Sequence, residues 1–252
     1  MAKIISLHSF RGGTGKSNIT ANLATVMADA GHCVGIVDTD LQSPGIHALF
    51  GLSENNIGMT LNDFLWSRTS IKDAAHNVSQ AAGLQNGKLY LVPSSMKITD
   101  ISRVLHKGYD ARLLKDGFKE LAHSLELDYL FIDTHPGLNE ETLLSIAISG
   151  GLVIILRPDT QDYQGTGVTL EVARKLGVPH IYLVLNKALP EIHPDDYCRT
   201  LFLTYETEVG AVLPLAIEVA RTASGGIFCQ ESPGHPFSQG IRDLAKRMLT
   251  VR

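Results

Sequence analysis

The sequence predicts an α/β fold: a doubly wound, mostly parallel β-sheet flanked by helices. Three observations lead there. Short runs of Ile, Leu and Val alternate with amphipathic stretches along the chain. The runs are apolar at consecutive positions rather than at every second one, which suits strands covered on both faces. The 252 residues carry 44% hydrophobic and 19% charged side chains, enough for a packed core and too few charges for a disordered chain.

The expected strands are Ile4–Leu7, Val34–Val37, Leu89–Val92, Tyr129–Ile132, Leu152–Leu156, Ile181–Leu185 and Val212–Leu213. The clearest helix begins at Ser17. Ile19, Leu23, Val26, Met27 and Ala30 share one of its faces, and Gly31 stops it. Leu52 to Gly87 is the least regular stretch, expected to be an excursion of helices and loops near the edge where such sheets bind ligands. The last helix, Phe237 to Leu249, sets Phe237, Ile241, Leu244, Ala245 and Met248 on one face, with Arg242, Asp243, Lys246 and Arg247 on the other. That pattern reads as a final core helix, ahead of an interfacial membrane helix. No repeat, low-complexity tract or linker interrupts the chain, so residues 1–252 are expected to form one domain.

A net charge of −4 argues against a basic nucleic-acid surface over the whole chain. The three cysteines, Cys33, Cys198 and Cys229, are widely spaced and form no C-x-x-C, which speaks for reduced thiols in a cytoplasmic protein. The first residues read as a strand rather than a signal peptide. The longest near-apolar stretch, Ile146 to Leu156, is broken by Ser149, Gly150 and Gly151 and falls short of the about 20 residues of a membrane-spanning helix.

The chemistry concentrates at Phe10-Arg11-Gly12-Gly13-Thr14-Gly15-Lys16-Ser17-Asn18, between a strand and a helix. Gly12, Gly13 and Gly15 let the backbone turn its N–H groups around an anion, and the helix start adds positive potential. Lys16 is placed to reach β- and γ-phosphates and Ser17 to offer a hydroxyl to Mg²⁺. Phe10 stands where the standard G-x-x-x-x-G-K-[ST] loop has its first glycine, leaving the narrower pattern [K/R]-G-G-x-G-K-[ST].

This loop resembles the deviant Walker A motif of the MinD/ParA group of ATPases within the P-loop NTPase superfamily, which usually has Lys where this chain has Arg11. The resemblance runs from Lys3 to about Leu249, with motifs in order. It implies ATP/ADP and Mg²⁺ as ligands, a Mg-dependent ATPase activity and an ATP-dependent homodimer. The segment Val37-Asp38-Thr39-Asp40 matches the family's D-x-D, implying that Asp40 orients or activates the attacking water and that Asp38 supports Mg²⁺ and the loop. A turn in which Asp40 merely caps Ser43-Pro44 is the plainer alternative. Asp133, closing an apolar strand, fits the carboxylate that holds Mg²⁺ directly or through water. After it the chain reads D-T-H-P-G, with His135 a departure from the family's pattern, and Gly137 is expected to bring its N–H toward the γ-phosphate. Asn186 is implied to face adenine, with Pro214 flanking the base and Pro158-Asp159 matching a family pair near the dimer interface. In the family the residue at position 11 reaches the partner subunit's nucleotide. Arg11 is therefore open between a cation acting in trans and a basic neighbour in cis.

The resemblance implies a switch that positions division, partition or other cargo machinery with a stimulating or cargo partner. A metal-delivery or cofactor-maturation ATPase, or a regulator of polysaccharide or flagellar systems, stays open. The first would need metal ligands and no ligand cluster is visible; a polysaccharide-synthesis kinase module would carry a tyrosine-rich tail where this sequence reads Met248 to Arg252. The expected location is cytoplasmic, with peripheral attachment to membrane or to nucleoid DNA left open. Arg221, Arg242, Lys246, Arg247 and Arg252 are the candidate cations for the DNA case.

Overall fold

A computed structural model describes residues 2–222 and 224–250. In chain order the elements are β1 (Lys3–His8), α1 (Lys16–Asp29), β2 (Cys33–Asp38), α2 (Leu61–Leu65), β3 (His76–Asn77), β4 (Lys88–Val92), α3 (Ile98–Lys107), α4 (Arg112–Ser124), β5 (Tyr129–Asp133), α5 (Glu140–Ala147), β6 (Gly151–Leu156), α6 (Thr160–Lys175), β7 (His180–Ala188), α7 (Pro194–Tyr205), β8 (Glu208–Pro214), α8 (Ile217–Arg221), α9 (Phe228–Glu231) and α10 (Pro236–Thr250). A short 3-10 turn at Ile46–Phe50 follows β2.

The strands form one sheet in the order β3-β4-β2-β5-β1-β6-β7-β8. Every neighbouring pair is parallel except β3 with β4. All seven expected strands are present. The eighth, β3, was not expected: its two residues carry no apolar run, and they pair antiparallel at the sheet's outer edge. The stretch Leu52–Gly87 lies only partly where it was expected. It meets the carboxyl edge, where the Leu61 N–H donates to the Pro93 carbonyl, then runs back through β3 to the amino edge, where the Gln85 N–H donates to Asp29.

Period-two alternation divides the strand residues between the two faces of the sheet, one carrying a single core cluster and the other two. Phe131, Val34, Ile36 and Val153 pack with Leu23, Met27, Ile241 and Leu244, beneath α1 and α10. Leu130 and Ile132 face the other way, with Leu114, Phe118 and Leu121 of α4; Leu183 and Leu185 pack with Leu170 and Leu201 of α6 and α7.

The final helix is a core helix, as preferred from the sequence. Phe237, Ile241, Leu244, Ala245 and Met248 are all buried, so its apolar face is not available to a membrane. Among the candidate cations, Lys246 pairs with Asp243 at 3.2 Å and Arg247 with Glu208 at 3.3 Å, and Arg242 donates to the Pro233 carbonyl. Arg252 lies outside the described residues.

Candidate nucleotide site

Parallel strands send their carboxyl ends to one edge of the sheet, and the segments following β1, β2 and β5 meet there with the end of β7. Adjacent β1, β5 and β2 bring the glycine loop, Asp133 and Asp38 together; Asp38 and Asp133 are direct register partners.

The loop is shaped from outside by protein groups. Gly13 and Gly15 have φ of 78° and 90°, a region that suits glycine. The Ser9 hydroxyl donates to the Arg11 carbonyl at 2.8 Å. Asn186 Nδ2 donates to the Thr14 carbonyl at 2.7 Å and Lys187 Nζ to the Gly13 carbonyl at 2.9 Å. Lys187 adopts φ 59°, rare for a residue with a Cβ, where the β7–β8 register shifts. Phe10 keeps its ring over Gly165 of α6, where a Cβ would come within 2.2 Å of the ring, so the departure at the first glycine position is met by a second glycine.

With the Gly13 and Thr14 carbonyls drawn outward, the N–H groups of residues 12–18 have no hydrogen-bond acceptor among the described residues. Gly15 caps α1 without any side-chain bond. Unpaired N–H groups at a bare helix start form an anion site.

Lys16, buried, donates to Asp133 Oδ1 at 2.7 Å, and the Thr20 hydroxyl donates to the same oxygen at 2.9 Å. Asp133 Oδ2 is buried without a partner among the described residues. Asp38 Oδ1 accepts the Asp40 N–H at 3.0 Å, and its Oδ2 is also unpartnered. Burial, and then the nearby Asp133 charge, hold the Asp38 carboxyl well above the usual range. The Ser17 hydroxyl has no partner among the described residues. Two orphaned carboxylate oxygens and a free hydroxyl at an anion site are a donor set that fits a hard divalent cation held partly through water.

Asp40 accepts the Ser43 N–H at 3.0 Å, the bond of the plainer turn reading, and its Oδ1 also stands 3.8 Å from His135 Nε2. Burial raises the Asp40 carboxyl above the ordinary range, opposed by His135 and Lys16. His135 Nδ1 lies 2.6 Å from the Pro136 carbonyl, which can only accept, so Nδ1 carries the proton and Nε2 faces Asp40.

Two of the expected ligand contacts have partners within the chain. The Gly137 N–H, expected to point at a γ-phosphate, donates to the Ser9 carbonyl at 3.2 Å, because its φ of 85° folds the segment after β5 back onto the loop's start. Asn186, expected against a base, uses its amide nitrogen to hold the loop. Pro214 pairs in register with Ala188 beside it, and Asn18 Oδ1 accepts from Asn22 Nδ2 at 3.1 Å. Arg11, 43% exposed, leans on its own chain, 3.8 Å from Asp159 and 3.9 Å from Asp162. Burial pushes the Asp162 carboxyl up, but hydrogen bonds from Arg157 more than offset it and leave the group below its usual range.

A family model described as "AAA domain" matches residues 2–178. The chain belongs to this AAA-domain family. An uncharacterised ATP-binding protein of Methanocaldococcus jannaschii is 25% identical over 253 residues, covering 100% of this chain and 89% of that protein. A cytosolic Fe-S cluster assembly factor Nubp2 homolog of Anopheles gambiae is 26% identical over 264 residues, covering 98% and 96%. The septum site-determining protein MinD of Pyrococcus horikoshii, solved with Mg-ADP, superposes with a TM-score of 0.84 at 23% identity over 100% of this chain and 97% of that one. The fold is that of the MinD/ParA P-loop ATPases, as the loop motif implied.

Four residues at this family site escaped the sequence reading. Thr20 had a signal: it lies four residues after Lys16, hence on the same helix face. Lys187 directly follows Asn186 in sequence and carried no assigned role. His8 had no signal beyond ending its strand, and Thr134 stood in D-T-H-P-G without an assigned role; His8 Nδ1 lies 2.9 Å from Thr134 Oγ1 beneath the loop.

Proposed function

We propose that the chain binds Mg–ATP at residues 11–18, hydrolyses it to ADP and phosphate, and works as a switch whose ATP form is a homodimer that engages a cargo or stimulating partner. The observation that carries this reading is the run of unpaired N–H groups from Gly12 to Asn18 at the uncapped start of α1. A polyphosphate supplies acceptors for that run, and the helix start favours its charge. In this reading Lys16 exchanges Asp133 for the β- and γ-phosphates, while Thr20 keeps Asp133 oriented. Ser17, Asp38 and Asp133 would hold Mg²⁺, which when bound neutralises charge on the phosphates. Asp40, its proton affinity raised by burial, orients the attacking water and accepts its proton. Asn186 and Pro214 flank the base, and Gly137 senses the γ-phosphate only by giving up Ser9.

Size-exclusion chromatography with light scattering tests the switch. The wild type is expected to dimerise with ATP and not with ADP, and Lys16→Ala to stay monomeric; a nucleotide-dependent dimer in Lys16→Ala refutes the assignment. Co-sedimentation with liposomes and with DNA under ATP, ADP and no nucleotide distinguishes a membrane, a nucleoid and a purely cytoplasmic site of action.

The second reading, cofactor maturation, draws on the likeness to the Nubp2 homolog. Among the described residues no group of three or more His, Cys, Asp or Glu is placed to hold a metal. Anaerobic reconstitution with iron and sulfide separates the two readings: a stable visible absorbance at stoichiometric iron favours maturation, and its absence favours the positioning switch.

A further inference from the structure

At the edge of the sheet opposite the glycine loop, a cavity of about 790 Å³ opens where β1, β6 and β7 begin. The sequence creates it. Gly150 and Gly151 enter β6 without side chains, between the starts of the neighbouring strands; Gly151 is in register with Ile5 on one side and His180 on the other. Beyond its chain neighbours, a Cβ at Gly151 would come no nearer than 3.6 Å and one at Gly150 no nearer than 3.8 Å, ordinary contact distances, so a Cβ is tolerated at both.

The walls reach both cores. Ile5, Tyr182 and Met248 belong to the core beneath α1 and α10, and Leu127 and Ile148 to the opposite core. The Lys, His and Glu side chains of the lining are Lys3 of β1, Lys119 and His123 of α4, His180 of β7, and Glu126. Lys119, Ala122 and His123 fall on one face of α4, and the small Ala122 leaves a gap between the two longer side chains. His180 begins β7 and lines the cavity too, and Glu126 is the one carboxylate of the lining among the described residues. Lys119, His123 and His180 are exposed and have no ion-pair partner among the described residues. The ends of α4 and α5 bring about half a negative charge each to the walls. The whole cations of Lys3 and Lys119 balance these and the Glu126 carboxylate, and the two imidazole rings add further donors.

A cavity of this size, lined mostly by apolar groups with a few donor side chains among them, is the form of a small-molecule site. We propose that this cavity binds an amphipathic carboxylate, its hydrocarbon chain against Ile5, Leu127 and Tyr182 and its carboxylate at Lys119, His123 and His180. The proposal is independent of the nucleotide reading, since no residue is shared.

Calorimetric titration with dodecanoate below its micelle concentration tests it. One saturable site is expected, with decanoate roughly tenfold weaker for the loss of two methylenes. Dodecanol should also bind about tenfold more weakly, for the loss of a charge-assisted hydrogen bond. Gly150→Leu fills the space from a backbone that is not in the left-handed region; it should abolish binding while leaving the thermal midpoint and ATP binding as in the wild type. Lys119→Met should weaken dodecanoate and leave dodecanol unchanged. The proposal is overturned by undiminished dodecanoate binding in Gly150→Leu, or by equal affinities for dodecanoate and dodecanol. Anionic vesicles that bind wild type and Gly150→Leu alike, with no binding of free dodecanoate, would also overturn it. So would dodecanoate binding only to a variant lacking Val251 and Arg252, because the chain's own end would then be the occupant.

Discussion

Acid should destabilise this protein through His8. The residue closes β1 directly before the glycine loop and is fully buried. Its Nδ1 lies 2.9 Å from Thr134 Oγ1, whose single proton is already donated to the Leu7 carbonyl at 2.9 Å. Nδ1 therefore carries a hydrogen, and Nε2, buried and unpartnered, carries none. Burial, then the charges of Lys16 and His135, lower the pKa from 6.5 to about 3. Between those two values the unfolded chain binds a proton that the folded chain refuses. This contribution is whole above pH 6.5 and falls away as the pH drops toward 3. At pH 5, about 1.5 units below the unfolded value, the loss is about 2 kcal/mol. Asp38 and Asp40 act in the opposite sense. Their raised carboxyls keep protons that the unfolded chain releases, so the raw acid profile mixes both effects. His8→Asn isolates the histidine, since its amide still offers a donor to Thr134 and does not titrate. Urea unfolding at pH 7.5 and pH 5 should show the wild type losing about 2 kcal/mol more than His8→Asn. Equal losses within about 0.5 kcal/mol, or imidazole nitrogen shifts that titrate near 6.5 in the folded protein, would refute the reasoning.

Gly15→Ala puts a methyl 2.5 Å from Asn186 Nδ2 at a φ of 90°, so it should cost about 1–3 kcal/mol and weaken ATP binding; adding Asn186→Ala should recover part of the thermal midpoint. Should Asp40 activate the water, Asp40→Ala will keep ATP affinity and lose phosphate release by about a hundredfold or more, and undiminished release rejects the role. Arg11→Ala frees Asp159 and Asp162 from their weak, exposed cation, so folding stability should change by less than about 1 kcal/mol. Any larger effect should appear in ATPase rate or dimer lifetime; unchanged values there, in this variant and in Arg11→Lys, remove the trans role.

Continuous apolar runs made the seven long strands legible, because a strand covered on both faces is apolar at most positions, with Ser6 and His8 of β1 as buried polar members. β3 was not legible: two polar residues at an edge draw their pairing from β4 and not from their own pattern. At the site, the residue types that bind phosphate were readable from loop chemistry, but their partners were not. That Lys16 rests on Asp133 depends on β1 and β5 being neighbours, a fact of sheet order 117 positions away in sequence. Gly137 and Asn186 were singled out for what a ligand would need; only the folded backbone reveals that each already serves the loop. Phe10 looked like a defect in a motif until Gly165 supplied its space.

The place of β1 in the sheet bears on how the molecule comes apart. It is hydrogen-bonded on one side to β5 and on the other to β6, with three further strands beyond β5 and two beyond β6. Amides along Ile5–His8 and Tyr129–Asp133 should therefore exchange with deuterium only when the whole chain opens, whereas those of β3 at the rim should exchange by local fraying. The glycine loop and Asp133 are rooted in the last strands to melt. Partial unfolding at the margins should leave the nucleotide site standing, and its loss should coincide with the loss of the fold itself.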